Sequence, residues 1–165
     1  MSCDAVAAAA VLWMASMNPA QGPDQVAMIL TSAPAPAAST PSSVAQEPLF
    51  MDIVRRARAL KAEAERLQAA AGAAPVASLP GYAAFRQRIA ELAVLDMQGH
   101  TTLAQRNSDG DLKCILRGIS QDLPTRIQAV EAASTPAERQ TALRDMVYLL
   151  NDNVEVITSP PRPAV

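Results

Sequence analysis

From residue 49 onward, apolar and polar positions alternate with the period of an α-helix. Ile53, Ala57, Leu60, Ala64, Leu67 and Ala71 recur at steps of four and three, an a/d seam of nearly three heptads with alanine in every second layer. Small residues in alternate layers let a partner helix approach closely. Lys61 and Glu65 stand one turn apart on the polar side, and Gly72 supplies a stop. The pattern predicts a helix over residues 49–72, a loop over 72–81, and a second helix over 82–105. Phe85, Ile89, Leu92, Leu103 and one of Leu95 or Asp96 form the buried face of the second helix. Gly99 weakens its middle by about 1 kcal/mol relative to alanine, unless a close helix contact or a kink requires it.

A polar turn over 106–111 precedes a third apolar stripe of Leu112, Ile115, Leu116, Ile119, Leu123, Ile127 and Val130. Pro124 interrupts this stripe. The reading favours two short helices there, with Asp122 near the N-cap of the second and Pro124 in its first turn. Thr135-Pro136-Ala137-Glu138 is a capping box that opens the last helix. Leu143, Met146, Val147, Leu150, Val154 and Ile157 form its buried stripe, and residues 159–165 read as a frayed tail. No stretch of useful length alternates with period two. The expected fold is all-α, an antiparallel four- to five-helix bundle over 49–158 with a flexible N-terminal extension.

The extension differs in composition. Residues 1–48 carry Asp4, Asp24 and Glu47 and no Lys or Arg, leaving all 14 basic groups and 13 of the 16 acids to the remainder. Residues 4–17 favour a helix, capped by Asp4 and stopped by Asn18-Pro19. The uncharged run over 5–17 is shorter than the roughly 17–25 residues that span a bilayer. No basic group precedes it, which argues against a Sec-type signal peptide. Residues 31–48, rich in Pro, Ala and Ser, read as a disordered, semi-rigid spacer between the apolar segment 1–30 and the bundle.

Charge and aromatic content narrow the function classes. A formal net charge of −2 gives no electrostatic footprint for a nucleic acid. Trp13, Phe50, Tyr82, Phe85 and Tyr148 are too few to build a base-stacking platform. A disulfide between Cys3 and Cys114 is one reading, but two cysteines make no disulfide framework, and a reducing compartment is the simpler expectation. Cys114 itself reads as a thiol on an apolar face.

His100 is the single histidine. On a helical bundle an exposed imidazole accepts a phosphoryl group, which makes a histidine phosphotransfer module one reading. Against it, Thr101-Thr102-Leu103-Ala104 follows where such domains tend to place Lys and Gly. Asp96 lies one turn away and is expected to pair with His100 on the surface. His100 and Cys114 supply too few ligands for structural zinc, and Asn107-Ser108-Asp109-Gly110-Asp111 lacks the spacing of an EF-hand loop. No nucleophile motif accompanies the histidine. No metal, cofactor or catalytic residue is therefore expected.

Arg55, Arg56, Arg58 and Lys61 form the densest basic cluster, on the side of the first helix away from its seam. A solvated face is the simpler reading, and an acidic protein or a phosphate-bearing ligand is the alternative, since arginine forks bind such groups. An apolar helix without a charged face also needs something to cover it. Docking on the bundle with Val11, Leu12 and Trp13 buried is the simpler reading, and a partner's groove or a non-Sec export signal are the others. The resulting expectation is a small non-enzymatic protein that binds another protein or a second copy of itself. Val11, Leu12 and Trp13 of the front and Arg55, Arg56 and Arg58 of the bundle are the candidate contacts. Membrane contact by the front is not favoured. The expected compartment is the cytoplasm, with a non-Sec exported effector or secretion component as the other reading.

Overall fold

The computed structural model describes residues 43–72 and 74–159 of the 165-residue chain. Four helices carry the fold: α1 Pro48–Ala70, α2 Tyr82–Gln105, α3 Gly110–Ala132 and α4 Pro136–Thr158. Each packs against the next, and α4 closes the ring against α1. Side-chain pairs set an antiparallel register: Arg56 with Glu91 and Arg88 with Glu63 join α1 to α2. Tyr82 donates to Glu131 and Arg126 meets Asp145, which does the same for α2–α3 and α3–α4. Gln140 Nε2 at the start of α4 donates to the Gln68 carbonyl near the end of α1.

The seam expected on α1 is the buried face observed. Ile53, Ala57, Leu60, Ala64, Leu67 and Ala71 are all 6% exposed or less, and Phe50 and Val54 extend the stripe. In α2 the choice between Leu95 and Asp96 falls to the acid: Asp96 is fully buried and Leu95 only half-buried. Gly99 serves a close contact. A Cβ built there would stand 3.1 Å from Leu116 Cδ1 and 3.4 Å from both Ile53 and Phe50.

Two short helices around Pro124 are not what forms. α3 is one continuous helix with Pro124 inside it. The proline has no N–H for the Ser120 carbonyl, a defect of about 3 kcal/mol. Leu116, Ile119, Leu123, Ile127 and Val130 are nevertheless buried along one unbroken stripe, each adding about 1.5–3 kcal/mol of burial. Packing on both sides of the defect outweighs it, and Pro124 itself faces outward.

The connections follow local chemistry. Gly81, at φ 86°, turns the chain into α2. Asn107 and Asp109 take left-handed conformations in the 106–111 turn, which short polar side chains tolerate. The Thr135 capping box forms as read: Thr135 Oγ1 accepts from the Glu138 amide, and the Glu138 carboxylate accepts from the Thr135 and Ser134 amides. Those bonds hold the Glu138 pKa down to about 2.

Two features lie beyond the apolar pattern. Residues 43–46, within the compositional spacer, form a 3-10 turn with Val44 buried. Arg139 is also buried, where its guanidinium donates to the Ala71 and Ser134 carbonyls and satisfies the chain leaving α1.

Candidate functional site

The entrance to α1 is built from short-range effects. Pro48 takes the first helical position, where its missing N–H costs nothing. The 3-10 turn before it closes with the Glu47 amide donating to the Val44 carbonyl at 2.9 Å. Arg106, just past the end of α2, donates to both Glu47 carboxylate oxygens at 2.8 and 2.7 Å. This end of the bundle is thereby tied down from three segments.

Helical spacing then places Pro48, Met51, Arg55 and Arg58 in one stripe at steps of three and four. With Ala45, Gln46, Val54, Asp52 and Thr158, the last residue of α4, they line an open groove. Its lining is mixed, with apolar Ala45, Pro48, Met51 and Val54 among polar and charged side chains. Met51 is 53% exposed, one of four large apolar side chains left out of the core among the described residues.

The arginines divide. Asp52 accepts from Arg55 and Arg56, and these bonds, Arg55's first, hold its carboxyl below the usual range. Arg56 also donates to Glu91 on α2 at 3.3 Å, so its charge is shared between two acids. Arg58 enters no ion pair among the described residues. Arg55 and Arg58 therefore share the groove, whereas Arg56 turns toward α2. There it lines a smaller depression with Arg55, Ala59, Leu60 and Arg88. Val11, Leu12 and Trp13 lie outside the described residues.

His100 does not pair with Asp96. Its Nδ1 lies 2.7 Å from the Lys113 carbonyl on α3. A carbonyl only accepts, so Nδ1 carries a proton and the neutral ring keeps its lone pair on Nε2. That nitrogen is not among the buried polar atoms left without a partner. Asp96 turns inward, where its Oδ2 accepts from Asn153 Nδ2 on α4 at 2.8 Å. Burial raises its pKa to about 8, which the Asn153 hydrogen bond opposes in part.

Cys114 is half-buried and disulfide-bonded, not the thiol expected, and the cytoplasmic expectation loses the support it drew from unpaired cysteines. Among the described residues no group of three His, Cys, Asp or Glu is placed to hold a metal ion. No helix among them is long and apolar enough to cross a membrane.

No family model, no curated protein and no solved structure matches this chain. The functional reading therefore rests on its own residues. In the sequence, Leu49-Phe50-Met51 is a single apolar run that does not set Met51 apart. Only the seam register, which turns Phe50 and Ile53 inward, assigns Met51 to the outside.

Proposed function

We propose that this chain is a non-enzymatic binding protein whose bundle receives an acidic, partly apolar segment of another protein in the groove at the start of α1. The observation that supports this is Met51, exposed in the groove that it lines with Arg58, an arginine in no ion pair among the described residues. A partner carboxylate at Arg58 and apolar side chains over Met51 and Val54 match that surface in charge and hydropathy. The apolar front around Val11, Leu12 and Trp13 is the second contact in this reading, since an uncharged helix gains by being covered.

The test is site-specific photo-crosslinking in the source cells. A probe at Met51 is expected to yield an adduct with a separate acidic polypeptide, absent from a probe at Ala62 and lost with Arg58→Glu. Adducts confined to residues 1–42 would reassign the groove to the chain's own front. No adduct would end the proposal.

A second reading has one observation in its favour: the Lys113 carbonyl leaves His100 Nε2 as the nucleophilic nitrogen, as phosphotransfer requires. Incubation with acetyl phosphate decides it. That reading requires an acid-labile adduct in the wild type that His100→Gln abolishes.

A further inference from the structure

Asp96 and Asn153 are both completely buried, and they meet across the core between α2 and α4. Asn153 Nδ2 donates to Asp96 Oδ2, and the other prong of each fork is then left over. Asp96 Oδ1 and Asn153 Oδ1 are the two buried side-chain polar atoms without a partner among the described residues. Both are oxygens. Two acceptors need one donor, and the only group that supplies one by changing state is the carboxyl itself.

We propose that the folded bundle carries Asp96 as the neutral carboxylic acid, whose proton on Oδ1 is donated to Asn153 Oδ1 to close a reciprocal acid–amide pair between α2 and α4. A carboxyl and a carboxamide are planar forks of the same shape, so in the proposed syn, coplanar arrangement a hydrogen bond through one prong of each brings the remaining prongs together. Turning the Asn153 amide over exchanges which carboxyl oxygen holds the proton but leaves the count unchanged. One proton satisfies every atom of the pair, whereas a carboxylate strands two buried acceptors and an uncompensated charge.

No buried charge on the surrounding helices offsets that cost. The inward side chains of α1 are Phe50, Ile53, Val54, Ala57, Leu60, Ala64 and Leu67, none of them ionisable. On α3 the single polar inward group is Ser120, whose hydroxyl donates to the Arg117 carbonyl. On α4 the buried cation is Arg139, spent on the Ala71 and Ser134 carbonyls at the far end of that helix. His100 on α2 itself bonds to Lys113. Asp152, beside Asn153, is a second acid raised by burial, with Glu155 adding to it.

The pair makes the bundle sensitive to alkali. In the unfolded chain Asp96 titrates near 3.8, and in the bundle near 8. The folded state therefore binds the extra proton between those values. This contribution is complete below pH 4, falls as pH rises toward 8, and is constant above. Asp96→Asn keeps the fork and makes the donor permanent.

In chemical denaturation of the full chain, the wild-type folding constant is expected to fall about a hundredfold or more from pH 5 to pH 8. Asp96→Asn should fall far less over the same range and be the more stable protein at pH 8. Parallel curves for the two proteins would overturn the proposal. A second measurement needs only the wild type: carboxyl-labelled aspartate should show one protonated-acid carbonyl band at pH 6 that disappears above pH 8. Its absence at pH 6 would overturn the proposal even if Asp96→Asn fails to fold.

Discussion

Gly99 and Gly118 both lie inside helices, so propensity alone predicts the same gain of about 1 kcal/mol from alanine at either position. The packing predicts opposite signs. At Gly118 the new methyl group meets nothing within 4 Å, and the helix keeps the propensity gain. At Gly99 it meets Leu116 at 3.1 Å, with Ile53 and Phe50 at 3.4 Å. All three neighbours are fully buried, on α3 and α1, and none can swing into solvent. Forcing a methylene-sized group into such a site costs about 1–3 kcal/mol. Set against the propensity gain, Gly99→Ala should be destabilising by up to about 2 kcal/mol, and the two variants should differ by about 1–3 kcal/mol.

Urea denaturation followed by far-UV circular dichroism reads both variants against the wild type. Gly118→Ala should move the midpoint upward and Gly99→Ala downward, at an unchanged slope. If Gly99→Ala stabilises as much as Gly118→Ala, the close approach of α1, α2 and α3 at this layer is refuted. Gly99→Leu sharpens the contrast, because a larger side chain has even less room to rearrange.

Two other perturbations separate local from tertiary effects. Pro124→Ala restores an N–H to the Ser120 carbonyl at an exposed position and should stabilise the protein by about 1–3 kcal/mol in the same assay; an unchanged midpoint would mean that α3 does not run straight through this point. Thr135→Ala should cost about 1 kcal/mol through loss of the N-cap bond. Because the Glu138 pKa is lowered from 4.5 to about 2, its contribution is present above pH 4.5 and is lost as pH falls through 2. Acid denaturation of Glu138→Gln should therefore lack the part of the wild-type loss that falls between those values.

Where one interaction dominates, the helical pattern carried the fold. The α1 seam, the α4 capping box and the buried stripe of α3 each follow from periodicity or from a four-residue motif, and each sits where the pattern places it. The pattern misleads where two effects of similar size compete. Pro124 signals a helix break by its missing N–H, and only the sum of burial on both sides decides against the break. Asp96 has the spacing to pair with His100, yet the two side chains leave α2 toward different neighbours, Asn153 and the Lys113 carbonyl. Arg139 and Asn153 look like surface residues because nothing local marks a polar group as buried. Their partners lie 68 and 57 residues away. The basic cluster was visible as composition, but which arginine keeps an unneutralised charge depends on Asp52 and Glu91, the latter contributed by another helix.

The groove and the buried acid belong to the same end of the bundle. Phe50 and Ile53, which press on Gly99, flank Met51 in sequence, and Asn153 lies five residues before Thr158 at the groove's edge. A ligand on Met51 and Arg58 thus rests beside the layer where Phe50 and Ile53 of α1 press on Gly99 of α2. If both proposals hold, binding raises the free energy of unfolding by RT ln(1 + [L]/Kd) and offsets part of the alkaline loss. That increment does not depend on Asp96 protonation, so the partner would add the same free energy at every pH, above pH 8 as below it. The two ideas still fail separately. Arg58→Glu removes the groove's cation without touching the acid–amide pair, so the protonated-acid band should persist in that variant. Asp96→Asn removes the band while the groove keeps every one of its lining residues, so the Met51 crosslink should persist in turn.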